Sequence, residues 1–402
     1  MRLATDAGHI LLENGAEIGR VEETMERLAR VYGVENESFF VLSNGIIATG
    51  DHYARAEFIP IKGTQLARVV EVNQLSRDAA AGRCGLDEME ARLQAIRTSG
   101  SKPWWEQVVG IAVGVASFSV LFGGSLVDAA ATFAAGLLLG AFMAFVSPHL
   151  SRLMGNLMGG LVGGLLCIAC VAAGWGEHLP NMIIGTIIAL VPGVPFTNGV
   201  HDLANEDYIA GATRLLDAFL AFLCIALGVA LALIVQGWVL GGIAPLGAPA
   251  TDAVAGHWVI QLSAALLGTV GFSVLFGAPR RYYFACGLTG MVGWAIYLAL
   301  LHVGAGTTGA ALGGALLVAA TAQVLAVLRH CPATVFLVCG IIPLVPGGGI
   351  FWTAYYIVTN QLGAAAHTGF SALKVAIAIA GGIVLMAGVV RLLNNLKKRA
   401  NG

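Results

Sequence analysis

Polar and apolar positions change character near residue 103. Before it the pattern is short-ranged: Ile18, Val21, Met25, Leu28 and Tyr32 recur every three or four positions, as one face of an amphipathic helix does. "SFFVLSNGIIATG" and "ARAEFIPIKG" read as β-rich stretches broken by polar and glycine turns. A helical pair follows, its second member carrying Leu86, Met89, Leu93 and Ile96 on one side. These elements predict a small α+β head over residues 1–103. "TSGSKPWW" reads as a linker, with Trp104 and Trp105 suited to the aromatic belt where a membrane span begins.

Beyond Pro103 the apolar runs lengthen. Ten segments are predicted, near 104–122, 125–146, 153–175, 180–198, 212–236, 253–276, 282–302, 305–328, 333–350 and 369–391. They repeat. "FSVLFG" begins at Phe118 and again at Phe272, 154 positions on, and the break "LVPG" recurs at Pro192 and Pro346 with the same shift. Gly136, Gly155, Gly159 and Gly160 map in that register onto Gly290, Gly309, Gly313 and Gly314. Five spans per unit force the second unit to enter the membrane from the opposite side. The expected fold is therefore a polytopic α-helical membrane protein. A head (1–103) precedes two inverted five-helix repeats with broken helices (104–240 and 253–395).

Composition sharpens this division. Hydrophobic residues make up 57% of the 402 and charged residues 11%, far below the quarter or so usual in soluble domains. Of 22 Lys and Arg, twelve precede Pro103, as do fifteen of 23 acidic residues. Arg152, Arg214, Arg280, Arg281 and Arg329 fall at alternate junctions, so with Lys397, Lys398 and Arg399 both termini are expected in the cytoplasm. The N-terminus has no secretory pattern. A net charge of −1 argues against nucleic acid as a partner. Cys167 and Cys170 sit in an apolar run that reads as a helix-packing seam, so no metal or cofactor is expected.

The two breaks carry the candidate chemistry. Pro192 and Gly193 should unwind the fourth span, which restarts with Pro195 in the first turn of a new helix. Gly347, Gly348 and Gly349 after Pro346 would let a ligand approach bare backbone, at a helix end that favours an anion. Thr197 and Asn198 correspond to Phe351 and Trp352, so one unit offers hydrogen bonds and the other aromatic walls. For Thr197 and Asn198 the alternative is a local helix cap, and for Phe351, Trp352, Tyr355 and Tyr356 an interfacial aromatic cluster. Buried charges raise coupling or gating roles. Asp217 pairs with Arg214 on one helix face or couples transport; Asp128 carries a proton or caps its helix. His201 and Asp202 form a gate or solvated loop charges, and Lys374 binds a carboxylate or snorkels to the surface. Ser43 and Asn44 read as a turn between strands rather than as a nucleophile and its partner, and nothing in the head spells an enzyme.

"GHILLENGAEIGRVEETMERLARVYG", "LSNGIIATG" and "LVPGVPFTNGVHDLANEDYIAGATRLLDA" resemble the core of the threonine/serine exporter family. "GFSVLFGAPRRYYFACGLTGMVGW" and "LVPGGGIFWTAYY" resemble its second module. The resemblance implies export of threonine and serine across a bacterial inner membrane, driven by the proton gradient. Split relatives, whose two modules are separate chains, imply succinate or another dicarboxylate instead. The expected partners are a small carboxylate-bearing metabolite, protons and the lipid bilayer, with homo-oligomerisation left open. A channel or a non-transporting scaffold is the alternative from another class. For the head, a regulatory or gating role is expected.

Overall fold

The computed structural model describes residues 1–50, 52–60, 63–240 and 257–401. Residues 61–62 of the second β-rich stretch, the 253 start of the second membrane unit and the side chains of Lys397, Lys398 and Arg399 lie outside the described residues.

The head opens on a helix that the sequence pattern did not reveal, α1 (Arg2–Glu13), followed by α2 (Ile18–Val31). Ala4, Ala7, Ile10, Leu11 and Leu12 of α1 are buried; two of the five are alanines, whose apolar signal is weak. Strands β1 (Ser38–Leu42), β2 (Gly45–Gly50) and β3 (Tyr53–Phe58) form an antiparallel sheet in chain order. Leu42 pairs with Gly45 across the turn Ser43-Asn44, and the Asn44 carbonyl accepts the Ile59 N–H at 2.8 Å. Helices α3 (Leu66–Ala80) and α4 (Leu86–Thr98) complete the head. Met89, Leu93 and Ile96 are buried as expected, whereas Leu86, at the very start of α4, is exposed.

The membrane part begins with α5 (Trp104–Leu121), α6 (Leu126–Phe145) and α7 (Arg152–Ala172). A broken pair, α8 (Leu179–Ile187) and α9 (Gly193–Ala204), leads to α10 (Tyr208–Leu240). Then follow α11 (Trp258–Leu275), α12 (Tyr283–His302) and α13 (Gly306–Arg329). A second broken pair, α14 (Thr334–Gly340) and α15 (Gly347–Val358), precedes α16 (Leu362–Asn401). Among the described residues eight helices are long and apolar enough to cross a membrane, ten spans if each bent pair counts as one. The bends are 60° and 43°. Each pair runs on past its break further than the apolar pattern suggested, to Ala204 and Val358. The polar residues of "TNGVHDLANED" after the first break hid that extension: Thr197, Asn198 and Asp202 lie in α9 and are buried.

At the two breaks the backbone is nearly superimposable. Pro192 has φ −76° and ψ 59°, Pro346 φ −76° and ψ 58°, and each is the N-cap of the helix that follows. The packing is reciprocal too. A Cβ on Gly193 would meet Ile342 Cδ1 at 2.7 Å, and one on Gly347 would meet Ile188 Cδ1 at 2.6 Å. The same holds where α5 crosses α11: Gly114 faces Phe272, Gly268 faces Phe118, and the two phenyl rings meet at 5.2 Å. Small residues let these helices approach closely, which is what drives helix association where lipid tails remove the hydrophobic term.

Candidate functional site

The loop between α1 and α2, "NGAEI", keeps Ala16 and Ile18 in the head core and presents its backbone to the head-side end of the membrane helices. Gly15 takes φ +85°, which turns the chain there. Asn198 of α9 donates from Nδ2 to the Gly15 carbonyl at 2.7 Å, and Arg214 of α10 donates from Nη2 to the Ala16 carbonyl at 2.9 Å. Asp202 accepts the Ile18 N–H at 3.0 Å on one oxygen and Arg214 Nη1 at 2.6 Å on the other. Ile18 opens α2, which has no side-chain cap of its own; a buried carboxylate from 184 residues away supplies the missing acceptor. Thr334 at the start of α14 donates to Glu17 at 3.0 Å. The loop is thus clamped by both halves of the membrane part.

Glu17 also lies 3.3 Å from His201 Nδ1 and 3.3 Å from Arg20 Nη2. Burial by itself would lift its carboxyl; His201, Arg20 and Thr334 outweigh that and hold it below the ordinary carboxylate range. Nearby, Asp207 and Glu22 are pushed the other way, each chiefly by burial.

Cavities lie on both sides of this loop. One, of 560 Å³, is lined by Gly15, Thr64, Pro195, Asn198, Arg214 and Asp217 among others. It reaches from the head-side ends of α7 and α10 to the first turn of α9. The other, of 390 Å³, lies between the head and α13–α14 and includes Glu17 and His201. Beyond the clamp Pro192 and Gly193 are buried, and Ile188 and Ala372 press on Gly347 and Gly349, while an apolar cavity of 390 Å³ lined by Phe196, Pro346, Gly349 and Ile350 lies beside the second break. Gly348 alone of the three keeps ordinary room for a Cβ. The open backbone expected at "PGGG" is therefore used for helix contact in this arrangement.

Two polar atoms at the restarted helix have no partner. Thr197 Oγ1 and Asn198 Oδ1 are buried and unsatisfied, although Asn198 Nδ2 is engaged as described. A partnerless buried polar atom is costly, about 1–3 kcal/mol, and marks a place where a ligand or water repays it. Phe351, Trp352, Tyr355 and Tyr356 form one aromatic cluster, with ring separations of 5.2 to 6.4 Å. Phe351, Trp352 and Tyr355 are buried, so the cluster sits inside the bundle rather than at an interface.

The charged candidates divide. Arg214 and Asp217 do not pair: Arg214 turns inward to Asp202, while Asp217 is half-exposed and meets Arg152 at 3.2 Å. Three positions on a helix leave two side chains about 60° apart, near one face, so it is competition from Asp202 of α9 that draws Arg214 inward. Asp128 caps α6 in a capping box with Ser125 and accepts the Glu177 and His178 N–H groups at 2.6 and 3.0 Å, and His178 Nδ1 lies 2.8 Å away. Its ligand atoms and those of Glu177 and His178 lie within 4.8 Å of one another, but both Asp128 oxygens are already occupied by N–H donors. Lys374 is exposed on α16, its Nζ 5.5 Å from the Phe370 ring. Cys167 contacts Thr186 and Cys170 the Ala131 carbonyl, in keeping with a packing seam.

Asn14–Ile18, Thr334 and Arg152 were given no role at a site from the sequence. The signal available was slight: an Asn-Gly turn and a lone Glu between two apolar helices.

Residues 2–236 match the family described as "Putative threonine/serine exporter", and residues 261–389 match "Threonine/Serine exporter, ThrE". The "Probable threonine/serine exporter" of Mycobacterium tuberculosis is 22% identical over 400 residues, covering 94% of this chain and 73% of that protein. The "Probable succinate transporter subunit YjjP" of Klebsiella aerogenes is 25% identical over 250 residues, 59% of this chain and 93% of its own length. Its Escherichia coli namesake is 25% identical over 259 residues, 59% of this chain and 96% of that one. No solved structure matches.

Proposed function

The chain belongs to the threonine/serine exporter family, a transporter family and not an enzyme family, and from that premise we propose that it exports threonine and serine by proton-coupled alternating access. Two inverted five-span units, 104–240 and 253–395, would rock about the crossing of α5 and α11, in the bacterial inner membrane with both termini in the cytoplasm. The observation that carries this is the reciprocal seating of the breaks, Gly193 on Ile342 and Gly347 on Ile188, each pair related by the same 154-residue shift. Equivalent contacts made in both directions are what a two-fold axis in the membrane plane produces.

In this reading the substrate site lies at the restarted helix α9, where Thr197 Oγ1 and Asn198 Oδ1 await partners. The substrate ammonium and hydroxyl supply the donors, and the N-terminal ends of α9 and α15 favour the carboxylate. The "NGAEI" loop is the cytoplasmic gate, shut in this arrangement, with His201 and Asp202 holding it. Purified protein in liposomes should move labelled threonine under an imposed pH gradient; absence of threonine, serine and succinate movement alike would end the proposal.

A dicarboxylate such as succinate is the second reading, favoured by the names of the two split relatives and by Arg152 and Arg214 at the 560 Å³ cavity. Competition between unlabelled succinate and labelled threonine in the same liposomes separates the two.

A further inference from the structure

The 390 Å³ cavity beside the gate loop carries basic side chains, Arg20, Arg77 and His330, that the transport reading does not use. Its walls include Arg20, Arg77, His201 and His330 against a single carboxylate, Glu17. That carboxylate is already engaged by His201, Arg20 and Thr334. Arg20 spends Nη1 and Nη2 on Glu23 and Glu17, and its Nε is buried with no acceptor. Arg77 of α3 is exposed and, among the described residues, its guanidinium makes no hydrogen bond or ion pair. His330 ends α13 in the left-handed region, at φ 51°. A cavity with surplus donors and one committed acceptor calls for an anion.

Its position narrows the choice. The cavity lies where the span Gly306–Arg329 meets the head. Val327 lines it, and Val324, Val327 and Leu328 are exposed on the last turns of α13. Their spacing puts them on one helix face, directed away from the bundle. An anion held by Arg20, Arg77 and His330 thus has an open apolar strip leading from it along the outside of the span.

We propose that this cavity binds the phosphate of an anionic phospholipid, with the headgroup between Arg20, Arg77 and His330 and the acyl chains along Val324, Val327 and Leu328. Basic pockets at the ends of membrane helices recognise headgroups by this combination of cations and adjoining apolar surface. Guanidinium groups suit phosphate because their planar N–H donors match its oxygens in pairs. Occupancy would bear on the gate loop, since Glu17 and His201 line the same cavity.

The test is native mass spectrometry of the full chain in a neutral detergent, titrated with short-chain phosphatidylglycerol, short-chain phosphatidylcholine or inorganic phosphate. Arg77→Ala is the test variant, since Arg77 is exposed and holds nothing else in place, and Arg97→Ala, on the exposed face of α4, is the control. Phosphatidylglycerol should bind in preference to phosphatidylcholine, Arg77→Ala should weaken it about five- to tenfold, and Arg97→Ala should not. Inorganic phosphate that binds with the same dependence on Arg77, while the two lipids bind alike, would assign the site to a soluble anion and overturn the lipid. Equal behaviour of Arg77→Ala and Arg97→Ala would overturn the site altogether.

Discussion

Replacing Asp202 by alanine should loosen the Asn14–Ile18 loop more than any other single truncation there. The change removes the acceptor of the Ile18 N–H, a helix cap worth about 1 kcal/mol. It also strands Arg214, whose side chain is 4% exposed and would keep only the Ala16 carbonyl. Removing one partner of a buried ion pair costs about 3–5 kcal/mol, because a charge is left in a poorly solvated place. That range already contains the smaller cap term in practice, so it is taken as the whole effect. Opening the loop releases Arg214 towards the 560 Å³ cavity, so the cost is relieved by opening and appears as a lower opening free energy. At about 1.4 kcal/mol per tenfold change, amide exchange at Ile18 should accelerate by roughly two to four orders of magnitude. Hydrogen–deuterium exchange of the full chain reads this on peptides spanning Asn14–Met25, with α12 as the internal reference. Asp202→Asn keeps an acceptor for Ile18 and should fall between. In Asp202→Ala/Arg214→Met no charge is stranded, and most of the protection should return. Unchanged exchange in Asp202→Ala, or a double variant no better protected than the single one, would refute the claim that this pair holds the loop.

Four further outcomes follow from the structure. Thr197→Val removes a buried hydroxyl with no partner, so the melting temperature should hold or rise while the initial rate of threonine transport falls several-fold; normal transport would remove Thr197 from the site. A Cβ on Gly271 meets the backbone of Gly110 at 2.5 Å and of Gly114 at 2.7 Å, which cannot yield, so Gly271→Ala should destabilise by at least about 1–3 kcal/mol. Gly348→Ala, whose nearest neighbour is 3.9 Å away, should stay within about 0.5 kcal/mol of the parent in the same denaturation assay. Lys102, whose Nζ donates to the Ala278 carbonyl at 2.6 Å and to Tyr283, is drawn by burial from 10.5 down to about 8, with Glu106 opposing. Below pH 8 the ammonium is charged whether the linker is docked or free, and the docked state bears the full burial cost. Between pH 8 and 10.5 the docked amine sheds its proton first, so this group's contribution to stability rises with pH. Amine acylation of Lys102 should reach half its limiting rate near pH 8; a midpoint near that of a free lysine would contradict the burial.

How much of this could be read from the chain depends on the range of the contacts involved. The strands and α2 follow from local alternation and periodicity, and the ten apolar segments from their length. Both breaks were legible because proline and glycine act on their own neighbours, and the 154-residue repeat made each a check on the other. Helix α1 was legible by the same rule as α2 and was missed: Ala4, Ala7, Ile10 and Leu11 recur every three or four positions, but the alanines and Gly8 on that face carry little apolar weight singly. The Arg214–Asp217 pairing failed for a different reason. Sequence spacing brings two charges near one helix face, but it cannot show that Asp202, twelve positions away through a turn, competes for the arginine and wins. The clamp on the loop was out of reach altogether, since its contacts join residues 183 to 317 positions apart.

Those long contacts also decide which perturbation of the head is informative. Removing residues 1–103 would take away more than the Asn14–Ile18 loop. Leu66 and Ala67 donate their N–H groups to the carbonyls of Phe276 and Gly277, so α3 satisfies the chain just past the end of α11. Lys102 does the same for Ala278. Arg214 would lose the Ala16 carbonyl, and Asn198 the carbonyl of Gly15. A headless protein that failed to transport would therefore have lost structural partners in both membrane units, and its failure would not single out gating. Only retained, normally regulated transport by such a protein would be decisive, and it would count against the gate. The positive case needs a change confined to the loop. Glu17→Gln keeps an acceptor for Thr334 and for Arg20 but removes the charge that faces His201. If the loop gates the pathway, this variant should leak threonine without a pH gradient while the full chain stays folded; a tight, normally coupled variant would assign the loop to anchoring alone.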